Sequence, residues 1–519
     1  MKDDKGSIPR RTYSALFLLS LTLFLVNFLV QGHILFSYND YYGLISKMNW
    51  IYWLGYALMI GLIFFHYVNF KRLDERYAYL TILLAIIYLI STPFLYESLP
   101  RFEDTWAHSR LADIFYKTGE SEGTGYAYEQ YPGSFIFYGI LFNLFNSFYV
   151  MRFFPFLFYI VGAIVIYLTL KDLTSPQKAF LIVVIYMLFS WTVEDNHISP
   201  QFLALNLYFI FMFFTIKLLK GGKNRILYMT VIALLAFVIS FSHMLTPIFL
   251  ILILSSIYIF CKKFRKAVLP ILIIIVASFL IHEMYFSNFL SSFVENLQNI
   301  EGLFSVSSKF AGAYSLDRQI FIGSRLAILA TSIILGFLGI RTLYNRGQKI
   351  TSMLLFSWAF SMLPFLILIS MFLNGEFAER FALISSLPLA IAATYFLTYR
   401  KAQVIVLVLL IVLSPLYFVS KYGNEAFESQ SVEKLKVDCF SNTFESDCEE
   451  KSVIVNSPLT YLDELGTKQF SVTREGIMFS QIYGSNQGGN VFDTIKRIEN
   501  EKGLDKIYST NDAWFYISK

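Results

Sequence analysis

The chain has 519 residues, 56% of them hydrophobic and 15% charged, with a mean hydropathy of +0.56 and a formal net charge of +5. Soluble domains carry roughly 45–50% apolar and about 25% charged residues, which excludes a string of soluble domains. No basic stripe interrupts the sequence, so nucleic acid is excluded as an expected partner.

In chain order, the apolar residues arrive in runs of roughly 16–22, long enough to cross a bilayer core as helices. The first, Tyr13–Val30, follows Lys2, Lys5, Arg10 and Arg11 and lacks a small-residue cleavage site, so it reads as a retained span. Further spans are expected at Ile51–Phe70, Tyr77–Leu95, Phe153–Leu170, Ala179–Val193, Phe202–Leu219 and Ile226–Phe241. The series continues at Pro247–Phe260, Val268–Ile281, Ser324–Ile340, Met353–Leu373, Ala382–Leu397 and Val404–Val419. The expected fold is an α-helical polytopic membrane protein of about 13 transmembrane helices.

Lysine and arginine set the orientation. The segments 71–76, 217–225, 261–266, 341–349 and 399–401, with the N-terminus, Lys171 and Lys178, hold most of the basic residues before the tail and belong in the cytoplasm. Acidic residues gather in the other set of loops. The run Phe135–Val150 would invert every later loop if it crossed. Asn143, Asn146 and Ser147 share a helical face opposite aromatic residues, which suits a helix lying in the outer interface. Residues 98–152 then form one large external loop. The transmembrane part covers 1–420, and 421–519 form a small extracytoplasmic α/β domain. That tail holds a helix-like stretch over 491–503 and a strand pair around Ser509–Asp512. Cys439 and Cys448 pair if the tail is extracytoplasmic, whereas Cys261 sits beside a basic loop on the reducing side.

The external loops collect the chemistry. Loop 98–152 opens with Glu103 and Asp104, and His108 follows Asp104 by four residues, one turn of a helix. The other external positions include Glu194, Asp195, His197, His243, His282, Glu283, Arg318, Arg325 and Arg380. With His33, five of the six histidines fall on this side, and only His66 lies at the inner face. Any one of these residues has a plain reading, a polar group capping a span where it meets water. As a set they point to a shared extracytoplasmic site. Asp104, Asp195 and His197 make a ligand set suited to Mn²⁺ or Mg²⁺. Arg318 and Arg380 suit a phosphate, and the apolar residues beside them suit one carried by a lipid. No Gly-rich phosphate loop, Ser-His-Asp arrangement or cysteine zinc motif is present.

These motifs, in this order and on these sides, resemble the GT-C superfamily of membrane glycosyltransferases over about residues 77–400. RFEDTWAH matches the loop that carries the catalytic acid, and YPGSFIFYGILFNLF the proline-led interfacial helix. MRFFPFLFYIVGAIVIYLTLKDL resembles the following Arg-x-x-Pro span, and ERFALISSLPLAIA the late Arg-aromatic span near the lipid phosphate. The span number, the Asp-x-His and the external tail lean towards oligosaccharyltransferases, but the tail lacks the WWDYG-type motif that reads a peptide sequon.

The resemblance implies transfer of a sugar from a polyprenyl- or dolichyl-phosphate donor to a glycan, lipid or protein acceptor on the extracytoplasmic face of the cell membrane. Asp104, or failing that Glu103, would be the general base, and Arg380 with Arg318 would hold the donor phosphate. His108, Glu194, His243 and Tyr131 would serve the acceptor. The competing readings are a glycan polymerase or ligase, and a transporter or flippase of a lipid-linked sugar.

Overall fold

The computed structural model describes residues 4–32, 34, 42, 44–97, 100, 103–120, 127–190, 197–221, 224–287, 316–361, 376–398 and 403–422, and four short strands beyond 450. Helices dominate. Among the described residues, eight helices are long and apolar enough to cross a bilayer, and five further apolar helices have 10–17 residues. The chain is a multi-pass α-helical membrane protein.

The bundle opens with α1 (Asp4–Gln31), a short α2 (Leu44–Lys47) and α3 (Trp50–Asn69). Asn49 starts α3 by accepting hydrogen bonds from the Ile51 and Tyr52 amides at 3.0 and 3.2 Å, which satisfies two of the helix's open donors. The span expected over Tyr77–Leu95 is broken into α4 (Arg76–Leu89) and α5 (Thr92–Tyr96). Pro93 cannot continue the ladder. The Tyr422 hydroxyl donates to the Leu89 carbonyl that Pro93 leaves open, at 2.8 Å, and the Ser91 and Thr92 hydroxyls donate to the Ile87 and Tyr88 carbonyls at 2.6 and 2.8 Å.

Next come α6 (Glu103–Thr118), α7 (Gly133–Leu144), α8 (Ser147–Leu173), α9 (Pro176–Phe189) and α10 (Pro200–Leu219). They are followed by α11 (Arg225–Ser242), α12 (Leu245–Phe260), α13 (Arg265–Phe286), α14 (Leu316–Asn345), α15 (Lys349–Phe360), α16 (Glu376–Leu397) and α17 (Gln403–Tyr422). Every residue of α9 from Ala179 to Phe189 is buried, which fits its apolar character all round and makes it the central helix. The tightest crossing is α14 on α16. A Cβ at Gly339 would collide with the Ala392 carbonyl, so only glycine lets the backbones meet there. Each expected span lies on one or more of these helices, except that 191–193 and 362–373 lie outside the described residues.

The interfacial stretch differs from the sequence expectation. Its helix, α7, ends at Leu144, so Asn146 and Ser147 do not share a face of it with Asn143. The outward stripe is Ile136, Ile140 and Leu144, which is apolar. Its inward side is pinned at two points: Ser134 Oγ donates to the Ser242 carbonyl at 3.2 Å, and the Tyr138 hydroxyl to the Ser199 carbonyl at 3.0 Å. Ser242 ends α11 and Ser199 caps α10, so both anchors sit at the same, acidic, end of the bundle. The few residues of α7 beyond Tyr138 rise only about 9 Å, far short of a bilayer core. Arg152, near the start of α8, returns to that end by donating to the Phe94 and Glu97 carbonyls at 2.6 and 2.5 Å.

In the tail, β1 (Val453–Val455), β2 (Gln469–Thr473), β3 (Leu504–Ser509) and β4 (Ala513–Ser518) form a sheet in the order β1-β2-β4-β3. β1 runs parallel to β2, and β3 and β4 form an antiparallel hairpin with an irregular register between Lys506 and Tyr508. This hairpin is the strand pair expected around Ser509–Asp512. The helix-like stretch 491–503, Cys439 and Cys448 lie outside the described residues.

Candidate functional site

Helix α6 organises the acidic end. Thr105, His108, Ser109, Leu111, Ala112 and Phe115 are buried at helical spacing, while Arg110, Asp113 and Lys117 face outward. Lys117 and Asp113 pair across one turn at 2.6 Å on the exposed side. The buried stripe packs on Phe135 and Tyr138 of α7 and on Ile198 and Leu203. Gly139 permits that approach, since a Cβ there would stand 2.7 Å from the Ala112 carbonyl. Glu103 and Asp104 are the first two residues of α6, where the helix dipole favours carboxylates. Their side chains lie outside the described residues.

One turn on from Asp104, the buried His108 points at the loop before α10. Its Nδ1 donates to the Ile198 carbonyl at 3.2 Å, which leaves the lone pair of the neutral ring on Nε2. The ring of His197 lies 6.4 Å away and nearly parallel. Tyr128 joins two histidines. It stands edge-on to His108 at 5.7 Å and near-parallel to His243 at 6.2 Å. His243 lies between α11 and α12, where its Nδ1 accepts the Thr246 amide at 3.2 Å and so keeps its proton on Nε2.

A second group adjoins through Phe241. His282, near the end of α13, is edge-on to Phe241 at 5.0 Å and stacked on Tyr131 at 4.7 Å. The Tyr131 hydroxyl donates to Glu283 Oε1 at 2.8 Å and lies 3.2 Å from Ser287 Oγ, which donates to Gln130. Burial pushes the Tyr131 phenol well above its ordinary value and the Glu283 charge adds to this, so the hydroxyl stays a donor. Among the described residues, Glu283 Oε2 and both nitrogens of His282 have no hydrogen-bond partner.

Of the sequence-expected residues, His108, His197, His243 and Tyr131 come together here, and His282 and Glu283 join them. His66 sits apart, against Phe70, Phe180 and Thr81 at the basic end. Glu194, Asp195 and His33 lie outside the described residues, as do the side chains of Arg318 and Arg380. Two of the three expected metal ligands are therefore beyond description, and no group of three possible ligands occurs among the described residues. Arg325 is engaged in structure: it donates to the Ser420 carbonyl at 3.0 Å and lies 3.8 Å over the Phe321 ring.

Sequence reasoning missed Tyr128 and Tyr138, which carry no signal apart from their place near the Tyr-Pro pair. It also missed Lys421, which is fully buried within 3.4 Å of the Ser190 carbonyl. A lysine ending an apolar helix was the available clue. Two imidazoles of fixed tautomer, a third beside them and a phenol, next to the start of α6, bring together groups whose chemistry is hydrogen bonding to polar ligands and proton exchange.

No family model and no curated protein matches this sequence. Among solved structures, the Archaeoglobus fulgidus oligosaccharyltransferase in complex with Zn and sulfate aligns at 13% identity and a TM-score of 0.46, over 72% of this chain and 56% of that one. The same enzyme tethered to an acceptor peptide containing the NVT sequon aligns at 14% identity and a TM-score of 0.48, over 73% and 59%. The alignment spans well under two thirds of their length, and a likeness at this level says nothing of the reaction.

Proposed function

We propose that this chain is a membrane glycosyltransferase that moves a sugar from a polyprenyl-phosphate carrier to an acceptor hydroxyl at the acidic, extracytoplasmic end of the bundle. The observation that carries this reading is the convergence of His108, His197 and His243, from three separate segments, one turn from the Asp104 position. The acceptor oxygen forms the new bond to the anomeric carbon, the bond to the carrier phosphate breaks, and Asp104 takes the hydroxyl proton. Arg380 and Arg318 stabilise the charge left on the departing phosphate. The imidazoles and Tyr128 hold the acceptor. Peptide, lipid and glycan acceptors all satisfy this chemistry, and a glycan polymerase or ligase is one form of it.

A transporter would need ionisable groups through the bundle's depth. Among the described residues, the buried acidic, basic and histidine side chains (His66, Glu97, His108, Glu129, His197, His243, His282, Glu283 and Lys421) all lie at or near helix ends or in the turns between them. The test is release of polyprenyl phosphate from a panel of polyprenyl-phosphate-linked hexoses by the purified full chain. Asp104→Asn should lower release by about 10²-fold or more without loss of donor binding. Normal release in both Asp104→Asn and Glu103→Gln would overturn the mechanism.

A further inference from the structure

A cleft of about 500 Å³ opens between α6, α7 and the start of α8, outside the histidine site. Asp113, in its lining, follows His108 by five residues, which turns it about 140° round α6 from the imidazole. One wall is the exposed, charged face of α6, and the other is α7, whose outward stripe is apolar. No step of the transfer chemistry uses this cleft.

Its lining joins an apolar part to a polar one. Met151 is buried there, and Phe142 packs half-buried on the same cluster of side chains. Tyr116 enters beside Gly139, where a Cβ would stand 2.8 Å from Tyr116 Cβ and 3.5 Å from its Cγ. Tyr116 is 46% exposed, and among the described residues its ring makes no contact with another ring or a cation. An aromatic face therefore stands open at the cleft. The polar part is mixed, with the Asp113 carboxylate, the Arg110 guanidinium and the Asn143 amide, all on exposed residues. Lys117 donates to Asp113 Oδ2 at 2.6 Å, which restrains the carboxylate and leaves Oδ1 to accept from a ligand.

We propose that this cleft binds a hexose unit of a glycan chain, with a C–H face of the sugar on the Tyr116 ring and its hydroxyls on Asp113, Asn143 and Arg110. The inference rests on the proposed function for the presence of a glycan at this end of the bundle. An acyl chain would strip water from the carboxylate, guanidinium and amide and return no hydrogen bond. A phosphate would meet the Asp113 carboxylate beside the two cations, a like-charge contact that works against it. A sugar is neutral, carries donors and acceptors round its rim and has an apolar face, so it matches both parts of the lining. The volume falls within the range of about 300–1,000 Å³ typical of ligand pockets.

Saturation-transfer NMR on the full chain in nanodiscs tests this, with maltotetraose, mannotetraose and chitotetraose as probes and a neutral tetrapeptide as the contrast. At least one tetrasaccharide should show transfer, strongest at the C–H protons of one sugar unit. Tyr116→Ala should raise its Kd by about 10-fold, whereas Tyr116→Phe, which keeps the ring, should stay within about threefold of wild type. Asn143→Ala should also raise Kd by about 10-fold, so the result does not depend on one variant. Both positions are exposed, and an unchanged melting temperature shows that each variant folds. Absence of transfer to all three tetrasaccharides overturns the proposal, as does an unchanged Kd in Tyr116→Ala. An equal signal from the tetrapeptide overturns it too, and would make this a peptide cleft. Binding is read without any donor, so the two readings fail separately. Release of polyprenyl phosphate without tetrasaccharide binding overturns the cleft alone, and binding without release overturns the transfer reading alone.

Discussion

Tyr131 and Glu283 show how a single bond supports the candidate site. The two residues are 152 positions apart and both buried, and the 2.8 Å bond ties the Tyr-Pro turn to the end of α13. Tyr131→Phe leaves a buried carboxylate short of a donor, so it should destabilise the protein by about 1–3 kcal/mol. Thermal unfolding in detergent measures this, and the double variant Tyr131→Phe/Glu283→Leu should lose less than the sum of the single losses. The pH dependence has a definite sign. Burial raises the folded-state value of Tyr131 above its ordinary 10, so its stabilisation is fully present below that pH and is lost as pH rises beyond it. The gap in melting temperature between wild type and Tyr131→Phe should therefore narrow above pH 10. A gap that widens would mean the phenol ionises easily and the bond is misread. A separate residue-scale prediction concerns metal. If Asp104, Asp195 and His197 hold Mn²⁺ or Mg²⁺, EDTA stops transfer and His197→Ala raises the metal concentration needed to restore it. Full activity in excess EDTA leaves the acid-base chemistry standing without the ion.

At the scale of elements, α7 acts as a strut beneath the site. Ser134 and Tyr138 fasten it to α11 and α10, and Gly133 and Gly139 let it lie close against Phe241 and against α6. A Cβ at position 139 would sit 2.8 Å from Tyr116 Cβ as well as against the Ala112 carbonyl, so α6 must move to admit it. Gly139→Ala should cost about 1–3 kcal/mol of stability and lower transfer, because α6 carries His108 and the acidic pair. Unchanged melting temperature and unchanged turnover would remove the strut role. The helices themselves were legible in the sequence, because run length and hydropathy depend only on neighbouring residues. The break at Pro93 and the end of α7 at Leu144 were not. The first depends on hydroxyls rescuing carbonyls, and the second on the chain turning at Phe145–Asn146 to start α8. Sidedness likewise gathered His108, His197, His243 and His282 at one end before any contact was known. That Tyr128 links His108 to His243 left no trace in the sequence, since a pairing across 115 positions has no period to reveal it.

At the scale of the whole molecule, the two ends of the bundle differ in charge and in chemistry. Lys178, Lys220, Lys262, Lys263, Arg341 and Lys349 mark one end, and the histidine-lined site marks the other. Placing the lysine-rich end in the cytoplasm puts the candidate site and the C-terminal sheet outside, the side that the proposed transfer requires. The arrangement depends on α7 not crossing, since one more crossing would reverse every later helix. Single cysteines test this directly, in a background with Cys261, Cys439 and Cys448 replaced by serine. Lys117 and Lys349 are both exposed and lie at opposite ends, and Ser485 falls in the tail. Lys117→Cys and Ser485→Cys should react with an impermeant maleimide on intact cells, and Lys349→Cys only after permeabilisation. The pair at 117 and 349 reports the sidedness of the bundle, and 485 reports whether the crossings after α7 add up. External labelling at 117 with protection at 485 would mean an odd number of crossings between them, and it would separate the tail from the candidate site. Protection at both with labelling at 349 would invert the bundle and place the histidines in the cytoplasm, where a sugar donor carried by an outer-leaflet lipid cannot reach them.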